Sequence, residues 1–440
     1  MSIKKNISFM FSAQIINTLI GFVSSIIITR ILGPEGRGEN TIFLSSIAFA
    51  VLFFSFSINS TISYFINSGK AKSEELLSTI IVLILTSTLL VYGTLFLLGH
   101  IGELHLALPE SIQTEKYKLI FTGLYFSSLM NGVLVAYLST FKKFKEVSLY
   151  GIGLQIFPAV IYILVYMDVI PYDHSIPFQT VVMISALVAL ITLIVIIFLF
   201  IKILNIKPSK KFIPIALIRQ FILFSSLAYI GNIATFFNYK LDFWIIDEYW
   251  GKSDLGIYSL AAQLSQLLWI LPQAIASVLY AYASSSSQEE AVRYTIKLKQ
   301  LSFYATLILG ITGLVLSYFF IPVLYGKEFI GAFNLMVIFL IGVIPFSIPT
   351  VLASLYAARG NFKISFVISL IILAISVTMY LTLIPRYGLM GGAISSAFAY
   401  LMATIISEIW FCKIYKVSIF NIFMIKKEVF SIGALIKRIK

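Results

Sequence analysis

Charge is what this sequence has least of. Asp, Glu, Lys and Arg make up 12% of its 440 residues, about half the share of a soluble domain. With 59% hydrophobic residues and a mean hydropathy of +0.98, that scarcity excludes an ordinary water-soluble fold. Cysteine is nearly absent: Cys412 stands alone, which excludes an internal disulfide and a cysteine-built metal cage. His100, His105 and His174 stand at no metal-ligand spacing, so neither a metal nor a cofactor is expected. A cleavable leader is not expected either. Lys4 and Lys5 precede an apolar run reaching Ile28, too long for a signal-peptide core and without a small-x-small exit. Long loops are missing as well. The largest outer connection, GHIGELHLALPESIQTEK (99–116), has no room for a folded domain.

What is present is a series of apolar blocks. IVLILTSTLLVYGTLFLLG (81–99) and VVMISALVALITLIVIIFLFI (181–201) each approach the ~20 residues that cross a hydrocarbon core of ~30 Å. Breaks at Gly, Pro and charge divide the chain into twelve expected spans. They fall at 7–32, 41–67, 76–98, 117–141, 147–168, 178–203, 216–248, 255–284, 296–324, 332–358, 362–384 and 389–412. The fold class expected is therefore an all-α polytopic membrane protein. The net charge of +13 does not point to nucleic acid, because its lysines and arginines sit in short connections where they set orientation. With both termini inside, 24 of the 32 basic residues are cytoplasmic and 7 are outside, Lys240 lying within a span.

Two patterns recur 218 positions apart. GPEGRG (33–38) answers GKSDLG (251–256), and VLVAYLSTFKKFK (133–145) answers VLASLYAARGNFK (351–363). Six spans per half make the halves parallel repeats, an arrangement that suits alternating access in a transporter. The domains expected are a six-helix lobe at 1–205, a second at 212–416 and a basic cytoplasmic or interfacial tail at 417–440.

Polar residues fall in three stripes at helical spacing. The first span carries Gln14, Asn17, Thr18, Gly21, Ser24 and Ser25 on one face. The seventh carries Ser225, Tyr229, Asn232, Thr235, Asn238 and Asp242, with Lys240 on an adjoining face. The eighth carries Ser259, Gln263, Gln266, Gln273 and Ser277, with Pro272 placed to kink it. A single Ser or Thr in such a stripe is ordinary helix packing, whereas amides in all three point to a wetted cavity. Lys240 and Asp242 interrupt FFNYKLDFWIIDEYWG (236–251), where one charge costs about 2.5–3.5 kcal/mol on insertion scales. Residues two apart do not face each other, so each is expected to meet water or another helix. A lysine there offers an anion a point charge without bidentate geometry, and Arg30 stands at the same outer mouth. Glu408 is expected near the inner interface, neutralised by Lys413 or another basic group.

The stretch DFWIIDEYWGKSDLGIYSLAAQLSQLLWILPQAIASVLYAYAS (242–284) resembles the seventh and eighth helices of the polysaccharide flippases. ITRILGPEGRGE (28–39) and LIPRYGLMGGAISSAFAYL (383–401) are similar to other parts of the same family. These Wzx-type flippases belong to the multidrug/oligosaccharidyl-lipid/polysaccharide exporter superfamily. The resemblance implies two six-helix lobes around a cavity in the bacterial inner membrane. It implies as cargo an undecaprenyl-diphosphate-linked glycan, such as an O-antigen repeat unit, passed from the inner to the outer leaflet. Its implied partners are the lipid bilayer and other membrane proteins of polysaccharide assembly. Related drug exporters often carry an acidic cation site in the first helix, and Ile7 to Leu32 contains no Asp or Glu. A cation-coupled drug exporter and a flippase of a lipid-linked peptidoglycan precursor are the alternatives.

Overall fold

The computed structural model describes residues 3–55, 58–171 and 173–417, and their regular structure is helical throughout. The first six helices are α1 (Ile3–Ser55), α2 (Ile58–Asn67), α3 (Ser73–Ile101), α4 (Glu115–Thr140), α5 (Phe144–Tyr166) and α6 (Pro177–Leu204). The next six are α7 (Ile215–Gln266), α8 (Ile270–Ser285), α9 (Gln288–Phe320), α10 (Gly331–Val343), α11 (Ser347–Ala358) and α12 (Phe362–Tyr415). The tail beyond Val417 and the side chain of Ser225 lie outside the described residues. The chain forms two compact units, Met1–Ile233 and Ala234–Lys440. Among the described residues, 8 helices are long and apolar enough to cross a bilayer, or 9 if α10 and α11, bent by 41°, form one broken span.

That number falls short of twelve because α1, α7 and α12 each carry two of the expected spans. They run for 53, 52 and 54 residues, or roughly 80 Å at 1.5 Å per residue, against a hydrocarbon core of ~30 Å. Each breaks at a glycine: Gly33 (φ 64°, ψ −174°), Gly251 (φ 82°, ψ 177°) and Gly388 (φ 58°, ψ −138°). Positive φ of this kind is open to glycine and costly for other residues. The stretches after Gly33 and Gly251 read as loops in the sequence, and they are helical instead. Resuming the helix at once keeps backbone groups bonded within the chain, which matters where water is scarce.

The repeat is visible in the backbone. Gly33 and Gly251 share one conformation. α4 ends at Thr140 and α11 at Ala358; α5 begins at Phe144 and α12 at Phe362. Between these pairs the chain turns through Lys142 (φ 59°) in one unit and Gly360 (φ 72°) in the other. Helix ends, helix starts and left-handed turn residues thus follow the same offset as the sequence motifs.

In the first unit α4 lies among α3, α6 and α1 and buries Tyr125 and Tyr137 completely. Their hydroxyls donate to Ser87 Oγ at 2.8 Å and to the Ser73 carbonyl at 3.1 Å, so neither polar tip is left without a partner. Contacts also group the connections by side. Ser78 Oγ donates to the Ser209 carbonyl at 2.8 Å, and the Ile213 N–H to Thr79 Oγ1 at 3.1 Å. At the other end Ser46 Oγ reaches the Leu106 carbonyl at 3.0 Å and Gln179 Nε2 the Ser111 carbonyl at 3.3 Å. There the α5–α6 turn is pinned by Ser175, whose hydroxyl (2.6 Å) and N–H (2.9 Å) donate to Asp173 Oδ1. Those bonds hold the Asp173 carboxyl below the usual carboxylate range.

Candidate functional site

The seventh expected span supplies the centre of the site. Asp242 is 3% exposed and its Oδ2 accepts the Tyr258 hydroxyl at 2.5 Å. Those two residues stand on opposite sides of the Gly251 break. Tyr258 lies 3.4 Å from Ser396 Oγ, which meets the Tyr380 hydroxyl at 3.0 Å. Asn238 completes the set: its Oδ1 accepts from Ser376 at 3.1 Å and its Nδ2 donates to the Ser369 carbonyl at 3.2 Å. Both halves of α7 are thereby tied to both halves of α12. Gly392 makes this possible, since a Cβ there would come within about 3.0 Å of the Tyr258 ring. Asp242 Oδ1 has no hydrogen-bond partner among the described residues.

Beside this network lies a cavity of about 330 Å³. Four rings form one wall: Tyr239, Trp269, Phe346 and Tyr400, whose centroids lie between 5.0 and 6.3 Å apart in every pairing. Asn238 and Gln273 reach the same cavity, and Gln266 hydrogen-bonds the Tyr400 hydroxyl. Pro272 explains how Gln273 gets there. Its missing N–H ends the α7 bonding pattern, a 3₁₀ turn takes Leu267–Trp269, and α8 restarts at Ile270. The eighth stripe is therefore split, with Gln263 and Gln266 before the break and Gln273 after it.

Lys240 is half-buried, its Nζ 4.4 Å from the centroid of the Phe243 ring, a cation–π distance. The remaining expected residues belong to both units. Gln14, Arg30 and Asn232 are exposed in the first unit, and Gln263 in the second. Asn17 packs at the α1–α5 contact, where a Cβ on Gly151 would stand 3.2 Å from its Nδ2. Among the described residues no group of three or more His, Cys, Asp or Glu could hold a metal ion.

Glu408 is neutralised by a basic group, which is Lys299 and not the Lys413 that the sequence suggested first. Glu408 pairs with Lys299, the two side chains 5% and 1% exposed, and Lys299 Nζ lies 4.6 Å from the Phe411 ring centroid. Cys412 Sγ approaches Glu408 at 3.8 Å. Lys299 was hidden among Arg293 and Lys297 in a basic stretch that reads as a cytoplasmic connection. The ring wall was also missed, because aromatic residues in an apolar span look alike whether they face lipid or a cavity.

The model of the family described as polysaccharide biosynthesis protein matches residues 3–287. The chain belongs to that family. A capsular polysaccharide biosynthesis protein of Staphylococcus aureus, CapF, is 25% identical over 420 residues, spanning 93% of this chain and 99% of its own length. Among solved structures, the inward closed conformation of the lipid II flippase MurJ superposes with a TM-score of 0.68 at 15% identity, over 94% of this chain and 88% of that one. The inward-facing form of a multidrug resistance MATE transporter of the MOP superfamily gives 0.65 at 16% identity, over 91% and 96%. The fold of this member of the polysaccharide biosynthesis family is thus one shared with a lipid II flippase and a multidrug resistance transporter.

Proposed function

We propose that this protein is a flippase of the bacterial inner membrane. It carries an undecaprenyl-diphosphate-linked oligosaccharide, an O-antigen or other surface-polysaccharide repeat unit, from the inner to the outer leaflet by alternating access. Lys240 carries the reading: a lysine kept within an apolar span, over an aromatic face, in a chain of the polysaccharide family. A charge held there against a cost of a few kcal/mol suits an anionic ligand, and an ammonium meets a diphosphate without bidentate geometry. The inside-negative potential favours outward movement of the anion by about 2.3 kcal/mol per charge per 100 mV, so the direction needs no coupling ion.

Surface-glycan export in cells tests this. Lys240→Ala should abolish export at normal membrane abundance, and Lys240→Arg should keep part of it. Adding Asp242→Ala to Lys240→Ala should not restore export; restoration would mean that Lys240 only neutralises that carboxylate. The peptidoglycan-precursor reading is separated by deleting the gene. Viable cells without the surface glycan fit the proposal, and lysis would overturn it.

A further inference from the structure

A separate cavity of about 300 Å³ lies in the first unit, at the end where α3 gives way to α4. Its lining includes Phe96, Gly99 and His100 of α3 and Glu115 and Lys118 of α4. Lys118 is 8% exposed, and its ammonium carries three N–H donors. One reaches Glu115 Oε1 at 2.7 Å; the other two have no acceptor among the described residues. A buried charge with donors left over is costly, and here those donors belong to a residue of the cavity wall. Gly99 gives the ammonium its place, since a Cβ there would stand 3.3 Å from Nζ. The Phe96 ring centroid is 5.9 Å from the same atom.

Depth and charge narrow the occupant. α3 runs for 29 residues, roughly 43 Å at 1.5 Å per residue, and a bilayer with its head groups is ~40–45 Å thick. Its last turn therefore stands at head-group depth, on the side that the basic residues assign outward. Near the cavity Leu97, Ile101 and Leu119 are exposed, apolar side chains that a spanning helix turns to acyl chains. Lys118 and Glu115 give the lining one formal charge of each sign. A simple anion would meet the carboxylate as well as the ammonium, whereas a zwitterion satisfies both. Its phosphate accepts from Lys118 in the first turn of α4, the positive end of that helix. Its ammonium donates to Glu115 near the negative last turn of α3. Glu115 Oε2 already accepts the Tyr92 hydroxyl at 3.2 Å, and each carboxylate oxygen has room for a second donor. Phe96 and His100, their rings 4.5 Å apart, offer the ammonium an aromatic wall. The volume is at the small end of ligand pockets, which run from ~300 to ~1,000 Å³, and suits a phosphoethanolamine head with its acyl chains left outside.

The geometry points to a site for one phosphatidylethanolamine molecule of the outer leaflet, held by its head group between α3 and α4. The site involves neither cargo nor transport, so it stands or falls apart from the proposed function. Native mass spectrometry of the full chain released from detergent tests it, with dioleoyl phosphatidylethanolamine, phosphatidylglycerol and phosphatidylcholine as probes. Phosphatidylethanolamine should be retained at ~10-fold lower concentration than the other two, the range of one charge-assisted hydrogen bond. Choline has no N–H for Glu115, and glycerol has no charge for it. Lys118→Met should remove the preference. Glu115→Gln, on an exposed side chain that the fold does not depend on, should weaken phosphatidylethanolamine ~3- to 10-fold without weakening phosphatidylglycerol. Lys116→Ala, an exposed lysine outside the lining, should change nothing. Equal retention of the three lipids, or an equal loss in Lys116→Ala, would overturn the inference. So would tighter phosphatidylglycerol, which marks an anion site only, or a preference undiminished in Glu115→Gln. Competition by water-soluble O-phosphoethanolamine at the lipid's own concentration would make the ligand a soluble one and overturn it too.

Discussion

At the scale of single residues, charge inside the apolar core separates two kinds of partner. Lys299 and Glu408 neutralise each other through Glu408 Oε1, and removing one strands the other; the expected loss is about 3–5 kcal/mol. Lys299→Met should therefore lower Tm sharply in detergent, while Lys299→Met combined with Glu408→Leu should recover most of it. A double variant no better than the single would show that the pair is not an isolated unit. Tyr258→Phe removes the donor to Asp242 and should cost about 1–3 kcal/mol, read as a lower Tm. Lys240 and Asp242 were legible in the sequence because a charge in an apolar span has few innocent explanations. Their surroundings were not: that Asp242 turns to Tyr258 and Lys240 to Phe243 depends on which helix packs alongside, and apolar periodicity does not encode it. Asn238 and Gln273 were found by their stripes, whereas Trp269 and Phe346 gave no signal, being aromatic residues among apolar ones.

At the scale of elements, the glycine breaks decide how a helix twice the bilayer's thickness is divided. Gly251 combines positive φ with extended ψ, a region that costs other residues about 1–3 kcal/mol. Gly251→Ala should destabilise by that amount. Gly313→Ala is the control, since Gly313 lies inside α9 with open space where a Cβ would go; it should be neutral or mildly stabilising. Equal losses in thermal unfolding would remove the special role given to the break. The apolar blocks were legible because bilayer thickness sets their length. That the chain would resume helix directly after Gly33 and Gly251 was not, because Gly, Pro and charge mark a loop and a sharp helical corner in the same way.

At the scale of the whole molecule, orientation follows from the basic residues alone. A reporter fused after Asp173 should behave as periplasmic and one after Lys210 as cytoplasmic; swapped signals would reverse the assignment. The Lys299–Glu408 pair has a consequence in time. Its members are 109 residues apart, and at ~5–20 residues per second the lysine emerges roughly 5–20 s before the carboxylate that neutralises it. During that interval the nascent ninth helix carries an unmatched ammonium, which favours leaving its first turns in water until the last helix arrives. In chains stalled at residue 400 that keep Lys299, a Gln300→Cys variant in a Cys412→Ser background should react readily with an aqueous maleimide, although Gln300 is buried in the folded protein. In the finished protein it should be shielded, so the last helix to be synthesised would be the one that seats the ninth at its final depth.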